Sequence, residues 1–146
     1  MKITICGSIG FAKEILKIKD KLLEMGHEVL IPASINDFLI ENIKDAKKLK
    51  SDRGKYINDI KPYYTRNHFG LIEESDAILV VNSDKDDIKN YIGGATFAEI
   101  MVAFYLNKKI FLLNPISSDE KLSFIRDEIE AVKPIILNNN LDLVGD

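Results

Sequence analysis

The run Tyr91-Ile92-Gly93-Gly94-Ala95-Thr96-Phe97-Ala98-Glu99 combines three residue types that can hold and act on a small polar ligand. Two glycines let the backbone come close to a ligand. A threonine at this spacing caps a helix, and the glutamate falls in that helix's expected first turn. A carboxylate there is placed to act on a bound molecule rather than merely to hold it. Thr96 and Glu99 also have the Thr-x-x-Glu spacing of a capping box, in which the acid only braces the helix start. Against that reading, Ile100 to Leu106 is almost wholly apolar. Glu99 therefore heads a buried helix, and a buried carboxylate needs a partner or a task.

Two further turns carry similar groups. Gly7-Ser8-Ile9-Gly10 offers backbone N–H groups and a hydroxyl at a helix start, which suits a phosphate or a sugar. It lacks both the Gly-x-Gly-x-x-Gly spacing and a following Gly-Lys-Ser/Thr, so a plain tight turn is the competing reading. Asn82 follows an apolar run, and Ser117 and Ser118 lie in Asn114-Pro115-Ile116-Ser117-Ser118. There are two histidines. His27 follows Gly26 in a turn and reads as a surface residue. His68 reads either as a solvent-facing polar residue or as an acid, base or hydrogen-bond donor of the site. Cys6, His27 and His68 show no metal-ligand spacing, so no metal is expected.

These turns need a frame. Lys2 to Cys6 reads as a first strand, Val29 to Ile31 as a second, and Ala77 to Asn82 as a third. Lys109 to Leu113 and Ile135 to Leu137 follow. Helical spacing covers Phe11 to Met25, about Gly94 to Leu106, and Glu120 to Val132. Strands that are nearly all apolar and alternate with helices predict a parallel sheet covered on both faces. The expected fold is a three-layer α/β sandwich with five parallel strands, flavodoxin-like or Rossmann-like. A charged, mostly helical insertion at about 33–75 breaks the rhythm, with Pro62 interrupting it ahead of a final helix around Asn67 to Glu74. It reads either as a solvated insertion or as a flap carrying aromatic residues to the ligand. In such a sheet the ligand site lies beyond the C-terminal strand ends, where the three turns converge.

The 146 residues make one domain, 1–146, and a formal charge of −3 gives no electrostatic reason to expect a nucleic-acid polymer. One cysteine permits no internal disulfide. No apolar run approaches the roughly 20 residues that span a bilayer, and no signal peptide is evident, so the expected compartment is the cytoplasm, with no membrane partner.

The motifs also occur in a telling order. Cys6-Gly7-Ser8-Ile9, Glu74-Ser75-Asp76-Ala77 leading into a Val/Ile/Leu strand, Gly94 to Glu99, and Asn107-Lys108-Lys109-Ile110 resemble the nucleoside 2-deoxyribosyltransferase superfamily, including the 2′-deoxynucleoside 5′-phosphate N-hydrolases. The resemblance covers most of the chain outside 33–65. It implies cleavage or transfer at the N-glycosidic bond of a 2′-deoxynucleoside or its 5′-monophosphate. Glu99 would be the nucleophile, His68 the proton-handling or orienting group, and a deoxyribosyl ester the intermediate. Gly7, Ser8, Ile9, Asn82, Gly93, Gly94, Thr96, Ser117 and Ser118 would bind substrate. No cofactor is implied. Homodimers or larger oligomers are, with Ser117 or Ser118 serving the neighbour's site.

Three positions depart from that pattern: His68 where members commonly carry aspartate, Thr4 where an aromatic is expected, and Gly10 where the phosphate-using branch often has a basic residue. They keep open a catalytically silent nucleotide-binding or sensing module. Gly93 to Glu99 also resembles the Gly-Gly-x-Gly-Thr-x-x-Glu motif of cytokinin-releasing phosphoribohydrolases, with one glycine missing.

Overall fold

The period-two alternation of an extended chain sorts each strand's side chains onto opposite faces. In a computed structural model, which describes residues 1–41, 48 and 50–145, five such strands form one all-parallel sheet in the order β2-β1-β3-β4-β5. They are β1 (Lys2–Gly7), β2 (Glu28–Leu30), β3 (Ala77–Val81), β4 (Lys109–Leu112) and β5 (Ile135–Ile136). The register pairs Ile5 with Leu79, Leu79 with Phe111, and Phe111 with Ile135.

Ile3, Ile5, Leu79, Val81 and Phe111 pack on one face with Ile15, Ile18 and Leu22 of α1 (Ala12–Glu24). Ile35 of α2 (Ala33–Glu41) joins them. Cys6, Ile78, Val80, Ile110 and Leu112 face the other way. There they meet Ile72 of α3 (Lys61–Glu74), Ile100 and Ala103 of α4 (Gly94–Tyr105), and Ile125 and Ile129 of α5 (Ser123–Ala131). Strand parity alone therefore puts the Cys6 thiol on the face covered by α3 and α4. The expected three-layer α/β sandwich and its five parallel strands are present.

The boundaries shift slightly. β2 lies one residue earlier than expected, β3 to β5 each end one residue sooner, and a 3₁₀ turn (Glu120–Leu122) precedes α5. Gly26 closes α1 at φ +87°, a conformation that glycine adopts without strain.

The insertion differs more. Pro62 does not interrupt a helix; it lies at the N-terminus of α3, which begins at Lys61 rather than near Asn67. A π-helical stretch, Tyr56–Ile60, precedes it, and the Lys61 N–H reaches back to the Tyr56 carbonyl. Within an α-helix the proline ring would strike the carbonyl four residues back, and the wider π turn relieves that clash. Part of the expected insertion, residues 42–47 and 49, lies outside the described residues.

The chain runs from β1 outward to β2 and then returns to place β3 on β1's other side. That reversal opens a crevice at the C-terminal ends of β1 and β3. No described helix is long and apolar enough to cross a membrane.

Candidate active site

A cavity of about 500 Å³ opens at that reversal. The loop after β1 contributes Gly7, Ser8 and Ile9. The loop after β3 and the start of α4 contribute Lys85, Tyr91, Gly93, Gly94, Thr96 and Glu99. The helical segments between β2 and β3 close it with Tyr56, Lys61, Tyr64, His68 and Phe69. The flap reading of the insertion is the one this arrangement supports. Tyr63 is the exception, pointing away from the cavity and 61% exposed.

Each side chain reaches the floor by the logic of its element. Cys6 is the last inward position of β1 on the α3/α4 face. Lys61, Tyr64, Thr65 and His68 follow the 0, 3, 4, 7 spacing of one helix face, so α3 presents them together. Glu99 lies in the second turn of α4, because the helix starts at Gly94 with Gly93 as its N-cap.

That corrects the capping expectation. Thr96 makes no cap bond; it sits inside the first turn and is buried. Gly93 takes the cap position with extended backbone, and a Cβ there would lie 2.9 Å from the Tyr91 hydroxyl. The capping-box reading of Glu99 falls with the cap. Gly94, Ala95 and Thr96 of the first turn line the cavity, and a helix start of this kind favours an anionic group.

On the floor, the His68 Nε2 lies 3.3 Å from Cys6 Sγ and 3.6 Å from Glu99 Oε2. His68 is 4% exposed, which removes its solvent-facing reading. Its Nδ1 is the one buried side-chain nitrogen or oxygen without a partner among the described residues. Burial disfavours charge on all three groups. It raises Glu99 to about 7, against smaller opposing effects from a Cys6 hydrogen bond and the Lys61 charge. It lowers His68 to about 4 and pushes the Cys6 thiol well up, with the Glu99 charge adding to the latter. Near neutrality the imidazole is uncharged and Glu99 is poised between acid and carboxylate.

Ser8 is engaged from two sides: its Oγ accepts from the Gly10 N–H at 3.3 Å and from Lys85 Nζ at 2.7 Å. Lys85 also lies 5.1 Å from the centre of the Tyr91 ring. A Cβ on Gly10 would meet the Lys85 Cε at 3.6 Å, so the lysine fills the space beside that glycine.

Three expected binding residues lie elsewhere. Asn82 is fully buried and uses its amide to tie two loops, donating to the Asn114 and Pro115 carbonyls and accepting from the Asn114 N–H. The Ser117 hydroxyl donates to the Lys89 carbonyl, and Ser118 is exposed; neither lines the cavity. Cys6, Lys61 and Lys85 were not singled out as site residues from sequence. The helical spacing of Lys61 with His68 was a usable signal, hidden by taking Pro62 as a break. Nothing local marks Lys85. His27 stays apart, its Nδ1 3.3 Å from the N-terminal amine.

No protein-family model and no curated protein matches this chain. Among solved structures, the 2-deoxyribosyltransferase of the psychrotolerant bacterium Bacillus psychrosaccharolyticus aligns over 93% of this chain and 98% of its own, with 18% identity and a TM-score of 0.56. A CMP N-glycosidase from Clostridium botulinum aligns over 94% and 90%, with 19% identity and a TM-score of 0.46. The chain has the three-layer α/β fold of the Bacillus 2-deoxyribosyltransferase, the fold implied by the motif order in its sequence.

Proposed function

We propose that the protein breaks, or transfers across, the N-glycosidic bond of 2′-deoxynucleosides or their 5′-monophosphates, with Glu99 as the nucleophile. The observation that carries this is a single buried carboxylate on the floor of a cavity flanked by two glycine turns. The Glu99 carboxylate attacks C1′, a C1′–O bond forms, and the C1′–N bond breaks. Its electron pair leaves on the base nitrogen, which takes up a proton. Water then attacks C1′ of the ester, releasing the sugar and the carboxylate, or the nitrogen of a second base takes the same place. A 2′-deoxy sugar favours the step, since no 2′-hydroxyl withdraws electrons from C1′.

His68 serves as the orienting group. Held near 4, its imidazole carries no positive charge at neutral pH and is a poor acid for the leaving base. Its Nε2 instead faces the carboxylate. Gly7, Ser8, Ile9, Gly93, Gly94 and Thr96 form the sugar cradle.

Lys85 supports a 5′-monophosphate as the preferred substrate, because it brings a cation to the Ser8 turn where Gly10 brings none. The chain is expected to work as a homodimer, as the motif resemblance implies, with the exposed Ser118 serving the neighbour's cavity, since the Ser117 hydroxyl is buried and held by the Lys89 carbonyl.

The test incubates the protein with deoxynucleosides, deoxynucleotides and their ribo counterparts and follows free base by chromatography. Base release from the deoxy compounds is expected. A thermal shift with nucleotides and no release from any of them would make the chain a binding module instead.

A further inference from the structure

We propose that Cys6 Sγ, His68 Nε2 and one Glu99 oxygen are the three protein ligands of a site for a thiophilic divalent cation of the Zn²⁺ class, its fourth position open to the cavity. The three donor atoms lie within 4.8 Å of one another, although they come from β1, α3 and α4. Zinc bonds of about 2.0–2.3 Å in a tetrahedron place neighbouring ligand atoms roughly 3.3–3.6 Å apart. The Cys6–His68 and His68–Glu99 separations are 3.3 and 3.6 Å. The Cys6 sulfur and the Glu99 oxygen also lie within 4.8 Å of each other.

In the absence of a cation the Cys6 thiol links the three groups, in hydrogen-bond contact with His68 Nε2 at 3.3 Å and with the Glu99 carboxyl. The His68 Nε2 faces both a sulfur and a carboxylate, yet the 3.6 Å gap to Glu99 exceeds a hydrogen bond. A cation engages all three donors at once. The charges also cancel, since a thiolate, a carboxylate and a neutral imidazole balance one M²⁺, which suits a buried position. Thiolate and imidazole select Zn²⁺ or Co²⁺ over Mg²⁺ and Ca²⁺, which prefer oxygen. Binding releases the thiol proton, and the Glu99 proton where present, to solvent. The site departs from the expectation of no metal, which rested on the lack of ligand spacing among Cys6, His27 and His68; Cys6, His68 and Glu99 converge only through the fold.

Occupancy commits the Glu99 oxygen and silences attack at C1′. That consequence rests on the proposed nucleophile; cation binding does not.

The experiment titrates Co²⁺ into the full chain under anaerobic conditions. One Co²⁺ per chain is expected, with a thiolate-to-cobalt charge-transfer band and the visible bands of a four-coordinate site. Zn²⁺ should displace it stoichiometrically and Mg²⁺ should not. Cys6→Ser should abolish the charge-transfer band, and Glu99→Gln should weaken binding at least about tenfold. Should Cys6→Ser fail to fold, the wild-type spectrum decides. Cobalt uptake without a thiolate band, or no uptake, overturns the proposal. The band together with Zn²⁺-blocked, chelator-restored base release supports both assignments. The band in a protein that never releases base supports the cation site and contradicts only the glycosidase reading.

Discussion

Burial acts on the two titratable partners at the cavity floor in opposite senses, and both senses are measurable. Glu99 is raised from 4.5 to about 7, so the unfolded chain releases this proton at lower pH than the folded one. Stability from this group is therefore full below pH 4.5 and is lost as pH rises to about 7. Glu99→Gln removes that loss, so the variant should gain on wild type across this window by up to about 3 kcal/mol, read by denaturant unfolding at several pH values. A difference independent of pH would contradict the buried carboxylate. His68, lowered from 6.5 to about 4, works the other way: its contribution is full above 6.5 and is lost as pH falls to about 4. Activity needs the carboxylate. Base release should rise about tenfold per pH unit below neutrality and level off above about 7. Glu99 was legible because a carboxylate ahead of an apolar helix must be buried. The Cys6 thiol beside it was not, since its partners are 62 and 93 residues away in sequence and only strand parity reveals the shared face.

Helix α3 shows how one local feature can hide a site. Pro62 reads as a break because proline ends most helices, but the π turn ahead of it lets the helix run from Lys61 to Glu74. Lys61 and Tyr64 thereby join His68 on one face. The C-terminus of α3 is pinned to β1 through Thr4, whose hydroxyl donates to the Leu71 carbonyl and lies 2.6 Å from that of Ser75. The aromatic missing at position 4 is thus replaced by a structural hydrogen bond away from the cavity. In the loop after β3, Lys85→Ala should cut the preference for monophosphate over nucleoside by on the order of tenfold, through KM more than kcat. An unchanged ratio would remove the lysine from the phosphate end. Between β1 and β3, a Cβ on Gly7 would lie 3.1 Å from the Val81 carbonyl oxygen. Gly7→Ala should cost about 1–3 kcal/mol of stability, because neither strand can move alone; a neutral substitution would contradict that tightness.

At the scale of the molecule, the strand order carries the functional argument. Alternating apolar strands and helices made five parallel strands readable, and the order β2-β1-β3-β4-β5 gathers the glycine turns of positions 7–10 and 93–94 at one edge. Asn82 was misplaced for a topological reason: it follows the right strand, but its amide turns sideways to the loop after β4. Phe104, Tyr105 and Phe124 are half or more exposed, apolar area that a homodimer could cover. Light scattering at micromolar concentration should give twice the 16.5 kDa chain mass, and a strict monomer would contradict the oligomer expected here. The most direct test of the central assignment compares base release by wild type and Glu99→Gln on deoxynucleotides and deoxynucleosides, with both proteins shown to be folded. The expected result is release by wild type and a loss on the order of 10³-fold or more in the variant. Equal release by the two proteins would show that Glu99 is not the nucleophile.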